Sequence, residues 1–143
     1  MTKDSNLQGS SAQRLRLPLL ALLLALAFAA CHNDGLSKEQ RRARQAAERC
    51  YKYLQDGEYN RFVDEIAYAD QMSPEYRAQM QDLIHEHTEH NRLAHGELLS
   101  AVATGDTLMG DLAHVYLQLT YADSTSEEVG LPMVCIEGDW KMQ

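Results

Sequence analysis

The stretch Leu112-Ala-His-Val-Tyr-Leu-Gln-Leu-Thr-Tyr121 has a period of two residues and decides the fold class. Its odd-numbered positions, from Ala113 to Tyr121, are apolar, whereas His114, Gln118 and Thr120 lie between them. Successive side chains of a strand point to opposite faces. The alternation therefore predicts a β-strand with one buried face.

Strand-like segments flank this stretch on both sides. They are Leu98–Ala103, Val129–Ile136 and Trp140–Met142. Turns are predicted between them at residues 104–106, 123–126 and 137–139. Gly130 and Pro132 interrupt the third strand, as expected at a bulge or a sheet edge. The C-terminal half therefore predicts an antiparallel meander of about four strands.

Apolar residues at helical spacing precede the strands. Ser37 and Gln40 form an S-x-x-Q capping box that predicts the start of a first helix, and Gly57 predicts its end. A second helix is predicted over Glu58–Ala69, with a buried face of Tyr59, Phe62, Val63 and Ile66. Ser73-Pro74 predicts the start of a third helix that ends near His95-Gly96. Its stripe is Tyr76, Met80, Leu83, Ile84 and His87. This order predicts an α+β domain with three helices packed on one face of a curved antiparallel sheet.

An apolar run from Leu17 to Ala30 follows the basic residues Arg14 and Arg16. A transmembrane helix needs about 20 apolar residues, so this shorter run predicts a cleaved export signal. Its end, Phe28-Ala29-Ala30-Cys31, resembles the lipobox of bacterial lipoproteins. The resemblance implies cleavage after Ala30 and acylation of Cys31. An ordinary secretory signal with an incidental cysteine is the alternative.

The predicted organisation is a signal peptide at residues 1–30, a lipidated tether at 31–36 and a domain at 37–143. Without residues 1–30 the chain has 10 basic and 20 acidic residues, a net charge of −10. Such a surface repels nucleic acid. The tether lacks an acidic cluster directly after Cys31. We therefore expect a lipid-anchored envelope protein that faces the periplasm, with exposure at the cell surface as the alternative.

Short motifs along the domain resemble a known superfamily. They are the turn Asp56-Gly57-Glu58-Tyr59, the stretch 110–115, Thr120-Tyr121-Ala122-Asp123 and the terminal stretch 138–142. Together they are similar to bacterial lipoproteins of the nuclear transport factor two-like superfamily, in particular a lumazine-binding-like branch whose function is unknown. The resemblance implies the cone-shaped α+β fold also used by ketosteroid isomerase and SnoaL-type cyclases.

Three functions fit such a domain. The first is non-catalytic binding of a small apolar ligand or a protein partner, with Tyr116, Gln118, Met133 and His114 as candidate pocket residues. The second is assembly of the cell envelope through a homodimer. The third is isomerase or cyclase chemistry, for which the resemblance implies a carboxylate base opposite a phenolic donor. The strands predicted to line the cone carry no Asp or Glu, so this function ranks last.

Histidine and cysteine leave two further points open. His87 and His90 lie three residues apart on the third helix, and His114 is the third ligand that they would need for a metal. Nothing in the sequence fixes that set, so no metal site and no cofactor are predicted. An exported chain reaches a compartment that permits a disulfide between Cys50 and Cys135. The sequence does not decide whether they pair.

Overall fold

Three α-helices and a four-stranded antiparallel sheet form the fold in a computed structural model that describes residues 35–143. The helices are α1 (Lys38–Gln55), α2 (Tyr59–Asp64) and α3 (Pro74–His95), with a 3₁₀ turn at Ala69–Gln71. The strands are β1 (Leu98–Met109), β2 (Leu112–Tyr121), β3 (Ser126–Ile136) and β4 (Asp139–Met142). Each strand pairs with the next along the chain. The predicted α+β class and antiparallel meander are confirmed; the predicted signal peptide and Cys31 lie outside the described residues.

The predicted helix caps are present. The Ser37 hydroxyl accepts a hydrogen bond from the Gln40 backbone, and the Gln40 side chain accepts one from the Ser37 backbone. This satisfies backbone donors that the first turn of α1 would otherwise leave open. At α3, Ser73 is the N-cap and Pro74 occupies the first helical position. These local signals place both helix starts where the sequence predicts them.

The core lies between α1 and the inner face of the sheet. The side of α1 facing the sheet is formed by small residues, all buried: Ala43, Ala46, Ala47 and Cys50. Small side chains let the helix approach the strands closely. The odd-numbered residues of β2 meet them, with Val115 and Leu117 fully buried. The period-two stretch of β2 is therefore the centre of the core, as its alternation predicts.

The predicted turn at residues 104–106 is wrong, because β1 continues through it to Met109. The strand pairing shifts register between Ala103 and Gly105, which absorbs the irregularity as a bulge. Asp106 is held by the side chains of Gln40 and Arg44 from α1. The reversal comes instead at Gly110, whose φ of +61° favours glycine.

Two other predicted boundaries need correction. Helix α2 ends at Asp64 rather than Ala69, and Val63 is its only buried residue. After it, Ile66 forms a bridge with Met142, and the Ala67 amide donates to the Met142 carbonyl at 2.7 Å. The chain leaves the helix because pairing with the end of β4 supplies these backbone hydrogen bonds. Strand β3 begins at Ser126, three residues earlier than predicted.

Candidate functional site

Helix α3 stands away from the sheet. None of its 22 residues is buried, and it packs mainly against α2. That contact is polar: the Arg77 guanidinium binds Asn60 and Asp64, and the Gln81 amide donates to Asn60 at 3.0 Å. The predicted stripe of α3 therefore does not enter the core. Its members Leu83, Ile84 and His87 instead face a cleft.

The cleft has a volume of about 460 Å³ and lies between α3 and the inner sheet face. Its floor comes from β2, where Leu119 and Tyr121 are almost fully buried. Apolar side chains form most of the remaining wall: Leu54, Phe62, Leu83, Ile84, Leu98 and Val129. A concave apolar site with a few polar groups is typical of small-molecule binding.

A hydrogen-bonded pair marks the sheet side of the cleft. The Tyr121 hydroxyl donates to Glu127 Oε1 at 2.5 Å. Burial, and then the hydrogen bond to Glu127, raise the pKa of Tyr121 well above its ordinary value, so the phenol keeps its proton. Burial and the same carboxylate also raise the pKa of Tyr51, across the cleft on α1. Two neutral phenols thus lie near one carboxylate.

Several other polar side chains of the cleft are bound to the protein. The Gln55 amide donates to the Leu98 carbonyl at 3.0 Å, and the Thr88 hydroxyl donates to the Ile84 carbonyl at 2.8 Å. On α3, Asn91 Nδ2 lies 3.3 Å from His87 Nε2. These contacts hold the wall in place and use side-chain donors that would otherwise face the cavity.

The four pocket residues suggested by the sequence do not line this cleft. Tyr116, Gln118 and His114 lie on the outer sheet face, since the odd-numbered residues of β2 are the buried ones. Met133 is fully buried in the core. The period-two pattern identifies two faces of the strand. Which of these faces lines the cleft depends on the side of the sheet on which α1 packs.

Glu127 is the residue that sequence reasoning missed. Starting β3 at Val129 left it in a loop, so the cone was expected to lack a carboxylate. The register pairs Glu127 with Leu119, and it alternates in phase with Val129 and Met133 toward the inner face. Extending the alternation of β3 backward by two residues would have placed it there.

His87, His90 and His114 do not come together as a set of metal ligands. His114 lies on the outer face, where its ring covers Gly130, while His87 faces the cleft on the helical side of the sheet. His90 is exposed on α3. Between residues 35 and 143, no three His, Cys, Asp or Glu side chains come together as metal ligands would.

The two described cysteines are free thiols, with Cys50 buried and Cys135 half-buried. Neither lines the cleft. In this part of the chain no helix is both long and apolar enough to cross a membrane.

Comparison with known proteins gives one result on the fold. No protein-family model and no curated protein sequence matches the chain. A crystal structure from Campylobacter jejuni, described as an NTF2-like transpeptidase, has a TM-score of 0.55 and 15% identity. The match covers 67% of this chain and 92% of that one. The fold is NTF2-like. At this identity the likeness shows the fold alone. This is the fold that the resemblance to the nuclear transport factor two-like superfamily implies.

The geometry of the pair bears on chemistry. The resemblance to ketosteroid isomerase-like enzymes implies a carboxylate base and a phenol on opposite sides of a substrate. Here Tyr121 and Glu127 are bonded to each other. The phenol proton already has an acceptor, and the Glu127 carboxylate keeps lone pairs that can accept further hydrogen bonds.

Proposed function

We propose that the chain is a membrane-anchored lipoprotein whose NTF2-like domain binds a small, largely apolar ligand in the cleft between α3 and the sheet. The observation that carries the binding proposal is the 460 Å³ apolar cleft with the Tyr121–Glu127 pair on its wall. Leu83 of α3 lies on the wall of this cleft and leaves most of its side chain uncovered. A ligand would supply the missing apolar contact.

A matched pair of leucines on α3 tests the binding site. Leu83 lines the cleft and is 61% exposed, whereas Leu93 is 78% exposed and does not line it. The probe is N-phenyl-1-naphthylamine, a neutral dye that fluoresces in apolar surroundings. We expect the full chain to bind the dye, Leu83→Asp to weaken binding about tenfold, and Leu93→Asp to leave it unchanged. Equal binding by both variants would contradict the assignment.

The anchoring part of the proposal rests on the sequence from Arg14 to Cys31. Two signals give stable membrane attachment, and lipoprotein acylation supplies more than one chain. We expect Cys31→Ser in the full chain to abolish incorporation of labelled palmitate and to move the protein to the soluble fraction. Cys135→Ser is the control and should keep both properties. Unchanged labelling of Cys31→Ser would refute anchoring at this residue. Placement in the lumazine-binding-like branch belongs to the same proposal.

Periplasmic orientation has its own test. A domain facing the periplasm should resist protease added to intact cells and be digested once the outer membrane is permeabilised. Digestion in intact cells would instead place the domain at the cell surface.

Assembly as a homodimer is a second candidate, favoured by the outer sheet face. Its exposed apolar side chains are Val102, Met109, Leu112 and Tyr116. Exposed apolar patches often mark protein interfaces. If this face forms a dimer, sedimentation of the full chain should give twice the monomer mass, and Val102→Glu should give monomers while Leu93→Glu should not. A monomer mass at every concentration would exclude this candidate.

A further inference from the structure

We propose that the ligand of the cleft is an amphiphilic organic cation, a protonated amine on an apolar body, whose charged group binds the carboxylate of Glu127. This inference rests on the proposed binding function and specifies the chemical class of the ligand. Three features of the cleft support it. Within the described residues, the Glu127 carboxylate has one oxygen without a hydrogen bond, most side-chain donors are already hydrogen-bonded within the protein, and the Arg92 guanidinium is paired with carboxylates.

The first feature is the spare acceptor capacity of Glu127. Tyr121 donates to Oε1, and within residues 35–143 Glu127 makes no ion pair and no second side-chain hydrogen bond. An ionised carboxylate accepts at both oxygens, with about four lone-pair sites. Because Tyr121 is 5% exposed and fixed on the cleft floor, its hydrogen bond holds this carboxylate beside the cavity.

The second feature is that most side-chain donors of the cleft are already used within the protein. The Thr88 hydroxyl and a Gln55 amide hydrogen bind backbone carbonyls, and the Asn91 amide meets His87. Gln55 Oε1 remains as a further acceptor. The Tyr51 hydroxyl makes no hydrogen bond within the described chain and can serve as donor or acceptor. A ligand that donates hydrogen bonds therefore finds more partners than one that accepts them.

The third feature is the balance of charge. The cleft lining carries two carboxylates, Glu97 and Glu127, and one guanidinium, Arg92. Arg92 is bound to Glu89 at 2.8 Å and lies 3.9 Å from Glu97. The positive charge of Arg92 is thus paired with Glu89 and Glu97, whereas Glu127 has no cationic partner among residues 35–143. From Tyr53 onward the chain has 4 basic and 17 acidic residues, so the surrounding field also attracts cations.

Displacement of the neutral dye from the full chain tests this inference. The competitors are octylammonium, octanol and octanoate, which share one apolar chain and differ in charge. We expect octylammonium to displace the dye at about fivefold lower concentration than octanol, and octanoate to be the weakest, since a charge-assisted hydrogen bond at a partly exposed site adds this much.

The neighbouring glutamates of β3 provide the control. Glu127 faces the cleft and Glu128 pairs with Gln118 on the outer face. Glu127→Gln should remove the advantage of octylammonium over octanol, and Glu128→Gln should keep it. Octylammonium no better than octanol, or an advantage that survives in Glu127→Gln, would overturn the inference while leaving a dye-binding cleft. Dye binding that is equally strong in Leu83→Asp and Leu93→Asp would instead refute the cleft itself.

Discussion

Glu65 is a buried charged residue that joins three parts of the chain. Its side chain accepts two hydrogen bonds from Arg49 of α1, at 2.8 and 3.2 Å, and lies 3.5 Å from the Lys141 ammonium of β4. Its carbonyl accepts from the Met142 amide at 2.7 Å. A buried charge is tolerated only with such partners. Glu65 therefore ties α1 to the last strand through the segment that follows α2.

Removing this carboxylate should destabilise the domain. We expect Glu65→Ala to lower the free energy of unfolding by about 1–3 kcal/mol, because Arg49 and Lys141 lose a shared partner at a partly buried site. Glu58→Ala is the control, since Glu58 pairs with an exposed Arg61 and should cost less than about 1 kcal/mol. Urea unfolding of the full chain measures both. Equal costs would contradict the role assigned to Glu65.

Burial of the Cys50 thiol makes the free energy of unfolding depend on pH. Burial, and then the charge of Glu65, raise the pKa of its thiol from 9.0 to about 12. Above pH 9 the unfolded thiol ionises while the folded one stays protonated, so the free energy of unfolding should fall between pH 9 and 12. Cys50→Ala should make that fall shallower. A stability that is flat over this range in the wild type would contradict the buried, protonated thiol.

The junction between α3 and β1 depends on glycine. Gly96 caps α3 with φ +81° and ψ −167°, a conformation that is almost confined to glycine. An added Cβ would also lie 2.9 Å from the Ala122 Cβ. This close approach sets the end of α3 against the β2–β3 hairpin, next to the cleft. Gly96 therefore contributes to the position of α3 over the sheet.

A pair of glycine variants tests that dependence. Gly96→Ala should lower the free energy of unfolding by about 1–3 kcal/mol, from backbone strain and contact with Ala122. At Gly130 the heavy atoms nearest to an added Cβ belong to the His114 ring, the end of a side chain that can turn away. Gly130→Ala should stay within about 1 kcal/mol of the wild type. Thermal unfolding of both variants checks this, and the reverse order would contradict it.

Sequence patterns predict the strands better than they predict the site. The alternation of β2 and the caps at Ser37 and Ser73 are local signals, and each is found where it was predicted. The bulge in β1 is not local, since Gln40 and Arg44 of α1 hold Asp106 where a turn was expected. The cleft is least predictable, because it exists where α3 does not pack.

The same reason explains why the candidate pocket residues suggested by the sequence do not line the cleft. Tyr116 and Gln118 belong to a strand with one buried face, and the period alone does not say which face looks toward α3. Glu127 was predictable in principle, from the phase of β3, but the predicted start of the strand lies three residues too late. A carboxylate at the edge of an apolar wall carries no sequence motif.

At the level of the whole molecule, the domain from Ser37 to Gln143 is one compact unit with an acidic surface and an apolar cleft. Its first helix is basic, and the rest of the chain is acidic. Attached to a membrane through Cys31, as proposed, such a domain would have an acidic surface that anionic lipid head groups repel. Its role would be to hold a small molecule, with the anchor fixing where that happens.

Native mass spectrometry of the full chain, purified from its own host in mild detergent, is the most direct test of ligand binding in the cleft. We expect the wild type and Leu93→Asp to retain a non-covalent small molecule, and Leu83→Asp to lose it. The acyl groups proposed on Cys31 would be covalent and would leave the comparison unaffected. A wild-type protein without such a molecule, or equal retention by the two variants, would contradict the proposed function.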